Sequence, residues 1–368
     1  NEAKGGEDFF ENSTLGFYGQ QTLAWRNRFY LNGAVRWDAS STFGASERWQ
    51  VYPKLSASYV ISDEPWFAPL SRAFASARLR AALGYAGNQP SVLNAYQRFD
   101  DYITTTIDGR AGLVNSTTLG NAALKPERQR EFEFGGDFGF LEDRVSLEAT
   151  VYDKLVSGLL FFRPVATSTG YSQQFADIGS LTNKGIELRA HTINIDRPAL
   201  KWESTVTYAR NRNRVQELTI PDFQSASGYP NRIKKGDPVG VFYGTYAARN
   251  CTTGALLLDS LGRLRPSFSL PTDTVARRAL GGGTCNDSAA AVLGDPNPNW
   301  IGSLLNEFTL GKAFRFRVFL DGSFGNDVMN LTKRIQDLGV TSNGIDAERE
   351  LLPYGDPRKL PPGYLARR

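Results

Sequence analysis

RFYLNGAVRWD, residues Arg28 to Asp38, puts Phe29, Leu31, Gly33, Val35 and Trp37 on one side of an extended chain. Arg28, Tyr30, Asn32, Ala34, Arg36 and Asp38 fall on the other. Alternation with period two, held this long, defines a strand with two unlike faces. The pattern recurs in both directions along the chain. From Trp49 to Ile61, Trp49, Val51, Leu55, Ala57, Tyr59 and Ile61 oppose Gln50, Tyr52, Lys54, Ser56 and Ser58. From Ser76 to Ala86, Ala77, Leu79, Ala81, Leu83 and Tyr85 oppose Ser76, Arg78 and Arg80. From Arg128 to Phe138, Phe132, Phe134 and Phe138 oppose Glu131, Glu133 and Asp137.

Further segments run from Leu15 to Trp25, Arg144 to Lys154, Lys184 to Ile195, Leu200 to Asn211, Trp300 to Leu310 and Lys312 to Phe324, which makes ten. A soluble β-sandwich also alternates, so length matters. Eleven residues at about 3.3 Å each span roughly 36 Å. A tilt near 45° projects this to about 25 Å, the apolar band of an outer-membrane barrel. Sandwich strands are commonly only about five or six residues. The expected class is therefore all-β, an antiparallel transmembrane β-barrel segment.

Composition narrows the alternatives. Aromatic residues make up 12% of the 368 residues, with 36 glycines, one methionine and one histidine, and the mean hydropathy is slightly negative. No stretch approaches the roughly 20 apolar residues a spanning helix needs; runs such as Leu159 to Phe162 are far shorter. The net charge of +4 comes from 42 basic and 38 acidic residues spread along the chain, without blocks of like charge. That excludes a nucleic-acid footprint. Phosphate loops, GxSxG elbows, HExxH and EF-hand spacings are all missing from the sequence, so no catalytic, cofactor or metal residues are assigned and the chain does not read as an enzyme. His191 shares the polar side of its strand with Glu187 and Arg189 and is expected to be a solvated side chain. Glu131, Glu133 and Asp137 stand side by side along one strand, about 6.6 Å apart per step, which is not the opposed geometry of a glycosidase pair.

The connections alternate between short and long, as the two rims of a barrel require. Arg26–Asn27, Gly139 to Asp143 and Asp196 to Ala199 are short. Ser62 to Ala75 falls on the short side yet is long enough to hold a small helix or packed turn. Long surface loops are expected at about 87–127, 155–183 and 212–299, the last holding a further strand near Val239 to Ala248 that lacks a partner. Trp25 and Trp37 lie near strand ends, and Trp49, Trp202 and Trp300 near strand starts, as aromatic girdles do. Tyr96, Phe99 and Tyr102 in the first long loop are the side chains best suited to stack on substrate or touch a lid, although loop aromatics also pack their own loops.

Several strings resemble the SusC/RagA type of TonB-dependent transporter. Leu119 to Asp153, LGNAALKPERQREFEFGGDFGFLEDRVSLEATVYD, resembles a signature barrel segment, with Pro126 and Glu127 followed by Glu131, Glu133, Gly135 or Gly136, and Asp137. Arg36 to Glu64 and Leu79 to Pro90 resemble earlier segments. NKGIEL (Asn183 to Leu188), NRNRVQEL (Asn211 to Leu218), GDPVGVFYG (Gly236 to Gly244) and GDPNPNW (Gly294 to Trp300) resemble later ones, in the same order.

The resemblance implies a barrel of about 22 strands, an N-terminal plug, a TonB-contacting segment and a SusD-like surface lipoprotein as lid, in the outer membrane of a Gram-negative-type bacterium. Residues 1–368 then form part of one barrel domain, about 10–13 strands, and the chain is expected to be a piece of a longer product. The function implied is TonB-dependent import of nutrient oligomers, oligosaccharide or peptide. A passive porin or adhesin barrel, and a soluble secreted polysaccharide-binding β protein, are the alternatives. Cys251 and Cys285 suit an oxidising compartment as a disulfide, or stand as two unpaired loop thiols. Intact mass after alkylation, with and without reductant, distinguishes these: a disulfide gives no alkylation until reduced.

Overall fold

The computed structural model describes residues 11–89, 103–107, 110–114, 118–224, 231–244, 291–330 and 332. Two compact units are present and are described separately. The first comprises Asn1–Asp222, Lys234–Asp237 and Asn299–Phe324, and the second Phe223–Ile233, Pro238–Pro298 and Gly325–Arg368.

The first unit is built on one ten-stranded antiparallel sheet. Its strands are β1 (Thr14–Trp25), β2 (Phe29–Ser40), β3 (Trp49–Val60), β4 (Phe74–Asn88), β5 (Glu127–Phe140), β6 (Val145–Ser157), β7 (Gly179–Arg197), β8 (Leu200–Leu218), β9 (Trp300–Leu310) and β10 (Phe314–Phe324). Each pairs with its sequence neighbours, so the order in space is the order in the chain. All ten expected segments are present, eight of them within about three residues of their expected ends and β7 and β8 longer.

Register carries the two faces of each strand across the whole sheet. Leu23, Leu31, Ala57, Ala81, Phe134, Val151 and Ile186 form one apolar row from β1 to β7. The adjacent row on the opposite face runs Thr22, Asn32, Ser56, Ala82, Glu133, Tyr152, Gly185 and Asn211. The apolar face is uncovered: Leu55 is 53% exposed, Phe132 48% and Leu320 61%. Water-soluble monomers rarely leave so large a contiguous apolar surface open. The buried apolar residues of this unit among those described, Phe43, Phe67, Ala77, Leu124, Ile178 and Val215 included, pack toward the strand ends and under the loops.

Aromatic clusters bound the greasy face on both sides. Toward the long connections, the Trp37 and Trp49 rings lie 4.7 Å apart with Phe17 beside them, and Trp300 stacks on Phe324 at 4.0 Å and on Tyr208 at 5.9 Å. Toward the short turns, Phe29 meets Tyr59, Phe74 meets Phe138 and Phe140, and Trp202 stacks on Phe308. Phe29 to Trp37 and Trp300 to Phe308 are both eight-residue steps, about 27 Å along a strand and about 20 Å after a barrel tilt. The girdles therefore frame a band of membrane height.

The turns explain the tight rim. Arg26 and Asn27, both at φ 53°, close β1 onto β2, with the Arg28 N–H donating to the Trp25 carbonyl at 3.1 Å. Leu141, Glu142 and Asp143 also lie at positive φ; left-handed turn residues match the natural twist of paired strands. The link from Ser62 to Ala75 does hold short helices, Ile61–Asp63 and Pro65–Leu70, and buries Phe67 between Trp66 and Phe74.

Two expectations change. β7 begins at Gly179 and β8 runs through Leu218, so both enter the long connections further than alternation indicated. Beyond the apolar band both sides of a strand meet water, and the period-two contrast disappears. Of the segment Val239 to Ala248, whose last four residues lie outside the described ones, Val241–Gly244 forms a strand in a small sheet of the second unit with Asn231–Arg232 and Ala291–Gly294. β8 pairs directly with β9, so the excursion between them has no wall crossing among the described residues. VGVFYG is apolar without alternating, which suits a short buried strand as well as a spanning one. Cys251 and Cys285 lie outside the described residues, as do Tyr96, Phe99 and Tyr102.

Leu83 sits mid-band between Leu55 and Phe132. Leu83→Arg should cost about 2–4 kcal/mol of membrane folding, whereas Ser56→Arg on the polar face should cost little. Urea titration in lipid vesicles, read by gel mobility without boiling, measures both.

Candidate functional site

The polar face is the candidate site, and each strand contributes to it through every second side chain. β5 supplies Glu131, Glu133, Gly135 and Asp137, which resolves the choice between the two glycines of the signature string. Gly135 shares the polar face with the acids, and Gly136 lies on the apolar one. A Cβ on Gly135 would meet the Arg80 guanidinium carbon at 3.2 Å and the Ala149 carbonyl oxygen at 2.7 Å. Glycine there leaves room for Arg80 to lie flat against the wall. Arg80 donates to Thr150 Oγ1 at 2.7 Å and to Asp137 at 3.3 Å, and Arg78 pairs with the same carboxylate at 2.6 Å.

Neighbouring strands continue the charge lattice. Arg189 of β7 pairs with Glu148 of β6 at 2.8 Å, Lys154 approaches Glu131 at 3.9 Å, and Arg317 of β10 pairs with Glu307 of β9 at 2.6 Å. Tyr152 donates to Asn211, whose amide reaches Asn183, each at 3.2 Å. His191 contacts Thr205 Oγ1 at 3.1 Å and stands 3.8 Å from Glu203, on the polar face as expected. Arg80, Glu131, Glu148, Tyr152, Lys154, Asn183, Arg189 and Asn211 line a groove of about 630 Å³ on β4 to β8. Glu133 and Glu187 face it without a side-chain partner among the described residues. With Glu131, Asp137, Glu148 and Glu307 paired laterally to bases, the surface offers many weak hydrogen-bonding sites and, among the described residues, no opposed carboxylate pair.

The ends of the wall strands are pinned by the signature string. Asn121 donates to the Phe175 carbonyl at 3.0 Å, Gln174 to the Gly120 carbonyl at 2.9 Å, and the Leu160 N–H to Glu127 at 3.0 Å. Together they hold the hairpin Leu160–Pro164 and Gln173–Asp177 beside Thr118–Leu119. Phe162 stacks edge-on against Phe175 and is 40% exposed. Nothing in the alternation marks this pair, because FF in a continuous apolar run has no defined face. In the second unit, Asn297 of GDPNPNW donates to the Val239 carbonyl of GDPVGVFYG at 3.0 Å. Two strings noted separately in the sequence are thus one structural element.

A sheet that is greasy on one side, ionic on the other and edged by aromatic girdles is the wall of a transmembrane β-barrel with a polar interior. The chain belongs to the TonB dependent receptor-like, beta-barrel family, whose model matches residues 5–327. It is 25% identical over 351 residues to TonB-dependent receptor P3 of Formosa agariphila, covering 91% of this chain and 34% of that protein. It is 28% identical over 331 residues to TonB-dependent receptor P26 of the same organism, covering 86% and 32%. TonB-dependent receptor SusC of Bacteroides thetaiotaomicron is 25% identical over 347 residues, covering 90% and 34%. The chain spans about a third of the length of these relatives. Among solved structures, the RagAB peptide transporter matches with a TM-score of 0.69 at 19% identity, covering 86% of this chain and 33% of that one. The family is one of outer-membrane transporters, and the SusC/RagA resemblance drawn from the sequence strings is borne out.

Gly135→Val should displace Arg80 and crowd Ala149, lowering folded stability by about 1–3 kcal/mol as overpacking does. Unfolding in urea followed by tryptophan fluorescence gives the difference, and Gly84→Val, whose added carbon would touch only the Lys54 side chain at 4.0 Å, is the comparison.

Proposed function

We propose that this chain forms part of the barrel wall and surface loops of an importer in the outer membrane of a Gram-negative-type bacterium, driven by TonB, for nutrient oligomers, either oligosaccharide or peptide. The observation that carries the proposal is the ionic lattice on one face of a wall whose other face is lipid-compatible. An oligomer rich in hydroxyls or amides finds donors and acceptors along such a surface at every step. Because most charges are already paired laterally, no single contact holds it strongly, and conduction needs binding weak enough to release.

The relatives support this reading, through SusC by kinship and through the peptide transport named for RagAB. Partners follow from the same resemblance: a SusD-like surface lipoprotein over the long loops, the TonB complex acting through a segment that contacts it, and outer-membrane lipid around the wall. Tyr96, Phe99 and Tyr102 are proposed substrate or lid contacts, and Cys251 with Cys285 a loop disulfide. The exposed apolar band argues against a soluble polysaccharide-binding protein.

Uptake of a labelled oligosaccharide or peptide by cells carrying the intact receptor should fall at least tenfold when TonB is deleted or the proton gradient is collapsed. Uptake that persists in both conditions identifies a passive barrel instead.

A further inference from the structure

β3 and β4 part company before either strand ends. Their pairing stops at Lys54 and Gly84, although β3 reaches to Trp49 and β4 continues to Asn88. Pro53, the next residue of β3, brings no N–H to extend a ladder, and proline is tolerated in a strand where no partner needs that donor. Beyond this point each strand is held only by its other neighbour, β2 or β5. The gap is filled by two side chains. The Tyr52 ring lies against Gly87, where an added Cβ would collide with it, and Arg128 donates to the Val51 carbonyl oxygen at 3.3 Å. Beside them, on the polar face, the wall forms a hollow of about 520 Å³.

Register sets out the floor of the hollow. Tyr18, Arg36 and Tyr52 stand in one row across β1 to β3, with Asp38 and Gln50 in the row toward the long connections and Lys54 in the row toward the turns. Lys54 faces Ala34 on one neighbouring strand and Gly84 on the other, so small residues leave room around its ammonium group. Arg36 is clamped to Asp38 at 2.7 Å, which neutralises both. Lys54 is exposed and has no hydrogen-bond or ion-pair partner among the described residues. Asp38 is the only acid among the described residues that line the hollow. The groove on β4 to β8 has the opposite character, because the charges left unpaired there are Glu133 and Glu187.

From this asymmetry we infer that the hollow is a subsite for an acidic sugar of the transported oligomer, with the sugar carboxylate on Lys54. The substrate class is then an oligosaccharide that contains uronate. The inference rests on the import reading above and adds the substrate class to it. A carboxylate at Lys54 gains a charge-assisted hydrogen bond with no unpaired acid beside it, whereas the same group in the groove meets Glu133 and Glu187. Tyr18 and Tyr52 stand two interstrand steps apart, about 10 Å, and offer flat apolar faces to the C–H side of a sugar ring. Their phenol hydroxyls, Gln50 and the Arg36–Asp38 pair supply donors and acceptors for the ring hydroxyls. A concave site with a few placed polar groups is the usual form of a small-molecule pocket. A peptide suits it less, since its α-ammonium group finds no unpaired acid among the described lining residues.

The test offers the intact receptor, in a neutral detergent, a pool of short oligouronates prepared from polygalacturonate and alginate. The control is the same pool after its carboxyl groups are reduced to alcohols, and native mass spectrometry reads what is retained. The parent should retain the acidic pool at least tenfold better than the reduced one. Lys54→Gln should remove that preference, and Lys54→Arg should keep part of it. Arg315→Gln, which removes a base from the same face on β10, should leave the preference unchanged. Gel mobility without boiling reports that each variant is folded. Equal retention of the two pools by the parent, an unchanged preference in folded Lys54→Gln, or an equal loss in Arg315→Gln overturns the inference. So does stronger retention of a pool of tri- and tetrapeptides than of the oligouronates. Retention of the acidic pool together with uptake indifferent to TonB would count against energised import alone.

Discussion

Hydrocarbon offers no hydrogen bonds, so a chain crossing it must satisfy every backbone N–H and C=O from within, at several kcal/mol for each group left alone. Nearly everything in this structure answers that constraint. Ten strands pair along their lengths with their chain neighbours, and tight left-handed turns such as Arg26–Asn27 let the ladder continue almost to the rim. Once pairing is fixed, side chains have only two directions to point. The sheet then separates lipid from water by alternation alone, without an internal core. Stability is moved outward, to the aromatic girdles and to the residues packed under the loops, such as Leu124 and Val215.

The polar face shows what such a wall can do. Charges on one strand are neutralised by the next, as with Arg78, Arg80 and Asp137 or Arg189 and Glu148. A single exposed pair of this kind contributes little to stability. Spread over a sheet, the pairs give a continuous hydrophilic surface that does not commit to one ligand, which is the chemistry expected of a passage. Lys54, unpaired in the hollow where β3 and β4 part, adds a fixed positive charge to that surface.

The limits of sequence reading have physical causes at particular residues. Gly179 to Asn183 and Arg212 to Leu218 belong to the wall but were read as loop, because strands surrounded by water on both sides carry no alternating signal. The strand expected near Val239 to Ala248 lacks a wall partner in the sequence because a buried strand and a lipid-facing one share apolar composition. Parity alone puts Gly135 with the acids, but that Arg80 lies opposite it is a matter of register. Phe162 and Phe175 meet only because Asn121 and Gln174 hold two distant segments together.

Period two, strand length and the placement of tryptophan determined from the sequence that this is an antiparallel wall built to cross a membrane, and they located all ten of its strands. Those signals are local, since each depends on which medium a side chain meets. Cross-strand register is not local, because it is set by turn geometry and by pairing over the whole sheet. Only the tertiary structure could therefore decide which charges neutralise each other, which remain open to the groove, and which stand alone in a hollow of the wall, as Lys54 does.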